Sequence, residues 1–148
     1  MFLPVYMRYK RISPLAITPR YSTEGAGCFD LFTAEDAVFN ADGFADVGTG
    51  IAFEVPSGWA LKVYSRSGMG FRVGLRLANC VGIIDSDYRG EVRLALQADR
   101  ELPYTTVKAG TALAQAALVP LPHVLFEEVD ELASTERGSA GFGSTGGL

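Results

Sequence analysis

Histidine is almost missing from this chain: among 148 residues there is one, His123, set between prolines and apolar neighbours. That scarcity excludes a histidine-based nucleophile triad and a histidine metal cluster. Cysteine is nearly as scarce. Cys28 and Cys80 lie far apart and form neither a disulfide framework nor a zinc spacing, which points to a reducing compartment. Basic charge is in deficit, with 13 Lys and Arg against 17 Asp and Glu, a formal net charge of -4. A binder of nucleic-acid backbone usually shows a basic stripe, and none stands here. A small anionic ligand stays open, because it needs only a few Arg and backbone N–H groups gathered locally. No apolar run approaches the length of a membrane span. Residues 1–7 are apolar but too short for a secretory leader, Pro4 interrupts them, and Arg8, Lys10 and Arg11 follow on the wrong side. No Walker-type loop occurs. The expectation is a soluble cytoplasmic protein without membrane or nucleic-acid partners. Any hydrolysis in it must rest on a carboxylate base, with phosphate charge met by Arg, backbone and a divalent cation.

What the chain does have is a series of short strand patterns. Ile51, Phe53 and Val55 alternate with Ala52 and Glu54; Ala60 to Tyr64 is apolar apart from Lys62; Leu75 and Leu77 flank Arg76. Val81, Ile83 and Ile84 lead into a polar turn, and Val92, Leu94 and Leu96 alternate on the way out, which reads as a hairpin. Thr111 to Leu121 reads as a further strand, closed by Pro120 and Pro122, with a turn or two of helix near Ser67 to Arg72. Turn signals recur at Ala41-Asp42-Gly43, Pro56-Ser57-Gly58, Arg89-Gly90 and Lys108-Ala109-Gly110. Many short strands at this spacing, with no long 3.6-residue period, predict a single all-β domain, a sandwich or barrel. Composition shifts at Thr135, and five of the eleven residues from Gly138 to Leu148 are Gly. The division expected is a body over 1–134 and a mobile arm over 135–148. Arg137 at the base of the arm and Phe142 among its glycines suit a flap that orders over a ligand.

Residues 82–91, Gly-Ile-Ile-Asp-Ser-Asp-Tyr-Arg-Gly-Glu, carry more chemical equipment than a turn requires. A plain hairpin tip needs only Asn-Gly or Asp-Gly. This one holds Asp85 and Asp87, a polar-tipped aromatic in Tyr88, and Arg89. Four other clusters stand out. Asp30 sits inside the apolar run Gly27-Cys28-Phe29-Asp30-Leu31, as a turn residue or a site acid. Ser65-Arg66-Ser67-Gly68 gathers hydroxyls, a guanidinium and backbone N–H groups as a phosphate site needs, and also reads as a surface loop. Asn79 has an amide that donates and accepts at once, as reading a base edge requires. Gln115 is polar within an apolar strand, and its default position faces solvent.

With these elements in this order the chain resembles the trimeric dUTP pyrophosphatase (dUTPase) family over nearly its whole length. The residues that carry the resemblance are Gly27 to Leu31, Arg66-Ser67-Gly68, Gly82 to Glu91, Gly110 to Gln115 and Arg137 to Gly146. Departures from the family pattern fall at Cys28, Ser65, Ala112 and Ala140. The resemblance implies a jelly-roll-like β-clip barrel and a homotrimer, with active sites at subunit interfaces closed by a glycine-rich arm. The reaction implied is hydrolysis of dUTP to dUMP and pyrophosphate, keeping uracil out of DNA and supplying dUMP for thymidylate synthesis. In that scheme Asp85 activates the attacking water, and Tyr88 packs beneath the deoxyribose. Asn79 with Gly82, Ile83 and Ile84 binds the uracil edge. Arg66, Ser67, Gly68, Gln115 and Arg137 meet the phosphates, Phe142 stacks on uracil, and Asp30 supports the water or metal network. Magnesium (Mg2+) rides on the triphosphate, without a dedicated protein cage. The alternatives are a dCTP deaminase of the same fold, which the Asp85 to Tyr88 pattern disfavours, a nucleotide-gated protein-interaction regulator that keeps the pocket, and an inert structural β-barrel.

Overall fold

A computed structural model describes residues 4–141 of the chain. Eleven strands and one helix are formed among them. In chain order these are β1 (Arg8–Arg11), β2 (Arg20–Tyr21), β3 (Phe29–Phe32), β4 (Ala37–Val38), β5 (Phe44–Glu54) and β6 (Trp59–Ser65). There follow α1 (Ser67–Val73), β7 (Leu75–Leu77), β8 (Val81–Ile84), β9 (Glu91–Ala98), β10 (Thr106–Val107) and β11 (Ala112–Pro120). They make a four-stranded sheet, β1-β5-β9-β7, and a five-stranded sheet, β2-β3-β11-β6-β8, with β10 and β4 as a small two-stranded ribbon. Every pairing is antiparallel. The all-β expectation holds, and the helix starts where the sequence placed it. No helix among the described residues is long and apolar enough to cross a membrane.

Alternation of side chains builds the core. On β9 the buried Val92, Leu94 and Leu96 alternate with Arg93, Ala95 and Gln97. They pack in one cluster with Val47, Ile51 and Phe53 of β5 and with Leu31, Leu61, Val63 and Leu113 of the other sheet. Burying each large aliphatic contributes ~1.5–3 kcal/mol, so this cluster is what overcomes chain entropy. Strand β5 is buried at every position from Val47 to Phe53, and within that stretch it bulges: its register against β9 shifts between Gly48 and Ala52. Gly50 stands in the bulge with φ +66, and a Cβ there would lie 2.8–2.9 Å from the Cβ atoms of Ser13, Ala16 and Ala34. Only glycine fits both the torsion and the space.

One sequence expectation is corrected. β8 and β9 do not form a hairpin. β8 pairs with β6 in the five-stranded sheet, whereas β9 pairs with β5 and β7 in the other. The turn over residues 85–90 therefore passes from one sheet to the other. A strand–turn–strand pattern encodes a change of direction and leaves the hydrogen-bonding partner open. β8, placed at the end of its sheet, is an edge strand. After β11 ends at Pro120 no further strand or helix forms among the described residues, and residues 121–140 are exposed throughout.

Candidate active site

Two separate hollows collect the chemistry-bearing residues. The first, of about 550 Å³, is lined by Asp30, Arg66, Ser67, Gly68 and Gln115, together with Ser22, Cys28, Arg72 and Tyr104. Strand register assembles it. Gln115 of β11 stands opposite Asp30 of β3 on one side and Tyr64 of β6 on the other. β6 then delivers Arg66 at the head of α1. Arg66 Nε lies 3.0 Å from Asp30 Oδ1, and Arg66 Nη1 donates to the Ala112 carbonyl at 2.7 Å. Ser22 Oγ donates to Asp30 Oδ2 at 2.7 Å, and Gln115 Nε2 donates to the Ser65 carbonyl at 3.0 Å. The Ser65 hydroxyl accepts the Leu77 N–H at 2.9 Å, so it supports the backbone.

Gln115 is therefore half-buried inside this network, which corrects its default solvent-facing reading. Ser67 and Gly68 are exposed in the first turn of α1, where backbone N–H groups have no partner within the helix. The helix ends on Gly74, whose φ of +70 permits the left-handed cap. Arg100 braces it by donating to the Phe71 carbonyl at 3.0 Å.

The second hollow, of about 310 Å³, is lined by Ile83, Ile84, Asp85, Tyr88, Glu91 and Arg93. Its turn holds itself in shape. The Tyr88 N–H donates to the Asp85 carbonyl at 3.2 Å, and Arg89 Nη1 donates to the carbonyls of Ser86 and Tyr88 at 2.7 and 2.9 Å. Arg89 is thus spent on the backbone. The Tyr88 hydroxyl donates to the Glu91 carbonyl at 3.0 Å. The side chain of Asp85 makes no hydrogen bond or ion pair with the described residues and is exposed. As an edge strand paired only with β6, β8 leaves the N–H and C=O groups of alternate residues along Val81–Ile84 outside the ladder. Asn79 stands beside them: a Cβ on Gly82 would come 3.7 Å from Asn79 Nδ2 and 3.2 Å from Val63 Cβ. Arg93 is ion-paired with Asp46, Glu35 and Glu91, and Asp46 first, then Glu91, hold its guanidinium above its ordinary pKa.

Within one chain the two hollows do not meet. Ile84 is registered against Leu61, and Arg66 comes five residues further along, so the separation is about 16 Å at ~3.3 Å per residue. Arg137 is exposed, its Nε donating to the Ala140 carbonyl at 2.9 Å, and lines neither hollow. Phe142 lies outside the described residues. Ser22, Arg72 and Tyr104 in the first hollow and Arg93 in the second carry no local sequence signal. Pairing of Arg20 with Asp30 is what brings Ser22 to the carboxylate, and no local pattern announces it. Cys28 and Cys80 are both free thiols.

Fold and site together define a class: all-β proteins that set a guanidinium–carboxylate cradle apart from an edge strand ending in an unpartnered carboxylate. The chain belongs to the dUTPase family, whose model matches residues 15–146. It is 38% identical to the deoxyuridine 5'-triphosphate nucleotidohydrolase of Nautilia profundicola, over 95% of this chain and 98% of that protein. It is 40% identical to the enzyme of the same name from Thermobifida fusca, over 99% of this chain and 82% of that one. Among solved structures, the Staphylococcus bacteriophage 80alpha dUTPase with dUPNHPP superposes with a TM-score of 0.86 at 25% identity, covering 95% of this chain and 98% of that one.

Proposed function

We propose that this protein is a dUTP diphosphatase that hydrolyses dUTP to dUMP and pyrophosphate, with each active site shared between chains of a homotrimer. One observation carries the chemistry. Asp85, at the end of an edge strand, has a carboxylate free of partners among the described residues, in the same hollow as Tyr88. A carboxylate in that position orients a water and takes its proton as the water oxygen bonds to the α-phosphorus. The bond from that phosphorus to the bridging oxygen breaks in line, and pyrophosphate departs. Asn79 and the outward backbone of Gly82, Ile83 and Ile84 read the uracil edge. The Tyr88 ring lies under the sugar and leaves no room for a 2′-hydroxyl.

The cradle supplies the opposite charge. Arg66, the N–H groups of Ser67 and Gly68, and Gln115 meet the phosphates, where positive charge stabilises the leaving group. Asp30 holds Arg66 at 3.0 Å and sets its direction. Ile84 and Arg66 stand about 16 Å apart along the sheet within a chain, which favours a nucleotide that meets the two hollows across a subunit boundary. Val124, Leu125, Phe126 and Leu132, exposed beyond β11, suit burial against another copy. The arm over 135–148, with Arg137 and Phe142, would then close a site formed by two other chains.

Magnesium fits as a passenger on the triphosphate. Among the described residues no three His, Cys, Asp or Glu side chains converge to hold a metal, and Asp30 is committed to Arg66 and Ser22. Asp85 is the carboxylate left to face the ion's water shell; when bound, the ion screens phosphate charge. The test is release of pyrophosphate against ammonia from each deoxynucleoside triphosphate, run beside a native mass measurement. Pyrophosphate from dUTP and a trimeric mass are expected. Ammonia from dCTP would assign the chain to the deaminases of this fold, and neither product would leave a regulator that only binds nucleotide.

A further inference from the structure

Gly90 is a glycine without a backbone reason to be one. Its φ is absent from the left-handed set that includes Gly43, Gly50, Gly58, Gly74, Gly110 and Gly138, so its torsions suit any residue. Arg89-Gly90 reads as a turn signal in the sequence, but the turn makes no use of a left-handed torsion there. Space explains it better. A Cβ at residue 90 would lie 2.3 Å from the Tyr88 hydroxyl oxygen, 2.5 Å from Cζ and 3.0 Å from Cε2, where ordinary contact is 3.4–4 Å. The phenolic tip of Tyr88 lies against the bare backbone of Gly90.

The same tip is fixed by Glu91. The Tyr88 hydroxyl donates to the Glu91 carbonyl, and residue 91 is itself anchored through its side chain. Oε1 of Glu91 accepts the Gly50 N–H at 2.7 Å and Oε2 accepts Arg93 Nη1 at 3.2 Å. Gly50 belongs to the bulge of β5, in the buried interior. The chain of contacts runs from that bulge through the Glu91 carboxylate and carbonyl to the phenol on the surface.

We infer that Gly90 and Glu91 are positioning residues that set the height of the Tyr88 ring, and hence the exclusion of a 2′-hydroxyl from the sugar site. The inference rests on the function proposed above and deepens it. Selection by lack of room depends on where the wall stands. A Cβ at residue 90 forces the ring more than an ångström from its seat, and displacements of that size cost about 10²-fold in enzyme sites.

Steady-state kinetics of the intact protein on dUTP and on UTP, with a thermal melt of each variant, test it. Gly90→Ala should keep a melting point close to the parent's, because no backbone strain is introduced. Its ratio of kcat/KM for dUTP over UTP should fall by about tenfold or more. Tyr88→Phe, which keeps the ring and removes its tie to Glu91, should lower the same ratio by less. It also provides the reading if Gly90→Ala fails to fold. A folded Gly90→Ala with the parent's ratio, or an unfolded one beside a Tyr88→Phe that keeps that ratio, overturns the inference alone. A parent that releases no pyrophosphate from dUTP overturns the proposed function and the inference with it.

Discussion

Asp30 and Asp85 each line one of the two candidate hollows, and their surroundings are opposite. Asp30 is 13% exposed at its side chain, ion-paired with Arg66 and hydrogen-bonded by Ser22, while Gln115 and Arg66 are tied to main-chain carbonyls beside it. Asp85 is exposed and has no such ties, and only its turn is braced. The cradle side chains are tied to one another within a single chain, and the Asp85 carboxylate is not. The physical lesson is a division of labour. A group that must receive phosphate charge benefits from being held in place beforehand, since no reorganisation is then left for the reaction. A general base must keep its lone pairs free for water, so it can be fixed only through its backbone.

The contrast breaks most sharply at Asp85. Asp85→Asn removes the proton acceptor and little else, so kcat for dUTP should fall by about 10²–10⁴-fold. Stability should stay within about 0.5 kcal/mol, as for other exposed positions. Hydrolysis at the parent rate would show that the free carboxylate is a solvated surface acid. Mixing two proteins, each impaired in a different half and assayed at dUTP far below the KM of Arg66→Gln, sharpens the same point. Asp85→Asn and Arg66→Gln subunits, unfolded and reassembled together in equal amounts, should recover about a quarter of the parent activity, because random assortment gives that share of sites two intact halves. A mixture no more active than its components assayed apart would place both hollows' work within one chain.

Arg66→Gln probes the cradle and should affect two properties at once. Asp30 loses its guanidinium partner while remaining mostly enclosed, and an unpaired enclosed polar group costs about 1–3 kcal/mol. The melting temperature should drop and KM for dUTP should rise. Adding Asp30→Asn removes the stranded charge and should return part of the stability without returning KM. If Arg66→Gln melts with the parent, the cradle is not held by this pair.

Much of the fold was legible because the core writes its own period. Val92, Leu94 and Leu96 announce β9, and the turn signals at Gly43, Gly58 and Gly110 coincide with left-handed glycines at φ +72, +79 and +83. What stayed hidden has long-range causes. β1, Arg-Tyr-Lys-Arg, is exposed at every position and has no apolar alternation to read, and it exists because β5 offers it an edge. The split of β8 and β9 between sheets follows from which partner each meets, which no local window contains. In the site, Asp30, Arg66, Gln115, Asp85 and Tyr88 were visible as residues out of keeping with their surroundings. Ser22, Arg72 and Tyr104 were not, since each is ordinary where it stands and acquires its place only when distant strands align.

The smallest effect belongs to an exposed counterpart of the Asp30–Arg66 pair. Asp36 accepts a hydrogen bond from Lys108 Nζ at 2.7 Å and from the Ala109 N–H at 2.9 Å, at the turn that launches β11. Lys108 first, then the Ala109 N–H, hold the Asp36 carboxyl below its ordinary value. A lowered carboxyl pKa stabilises the fold above the unfolded value of ~3.9 and is lost as pH falls through the lowered one. Asp36→Asn should therefore melt slightly below the parent at neutral pH, and the gap should close in acid. Raising salt should narrow it as well, because exposed pairs are screened. The stability loss of Arg66→Gln, resting on an enclosed carboxylate, should persist in the same salt series. Equal salt sensitivity in the two variants would mean that both pairs belong to the surface and that the cradle is not preorganised.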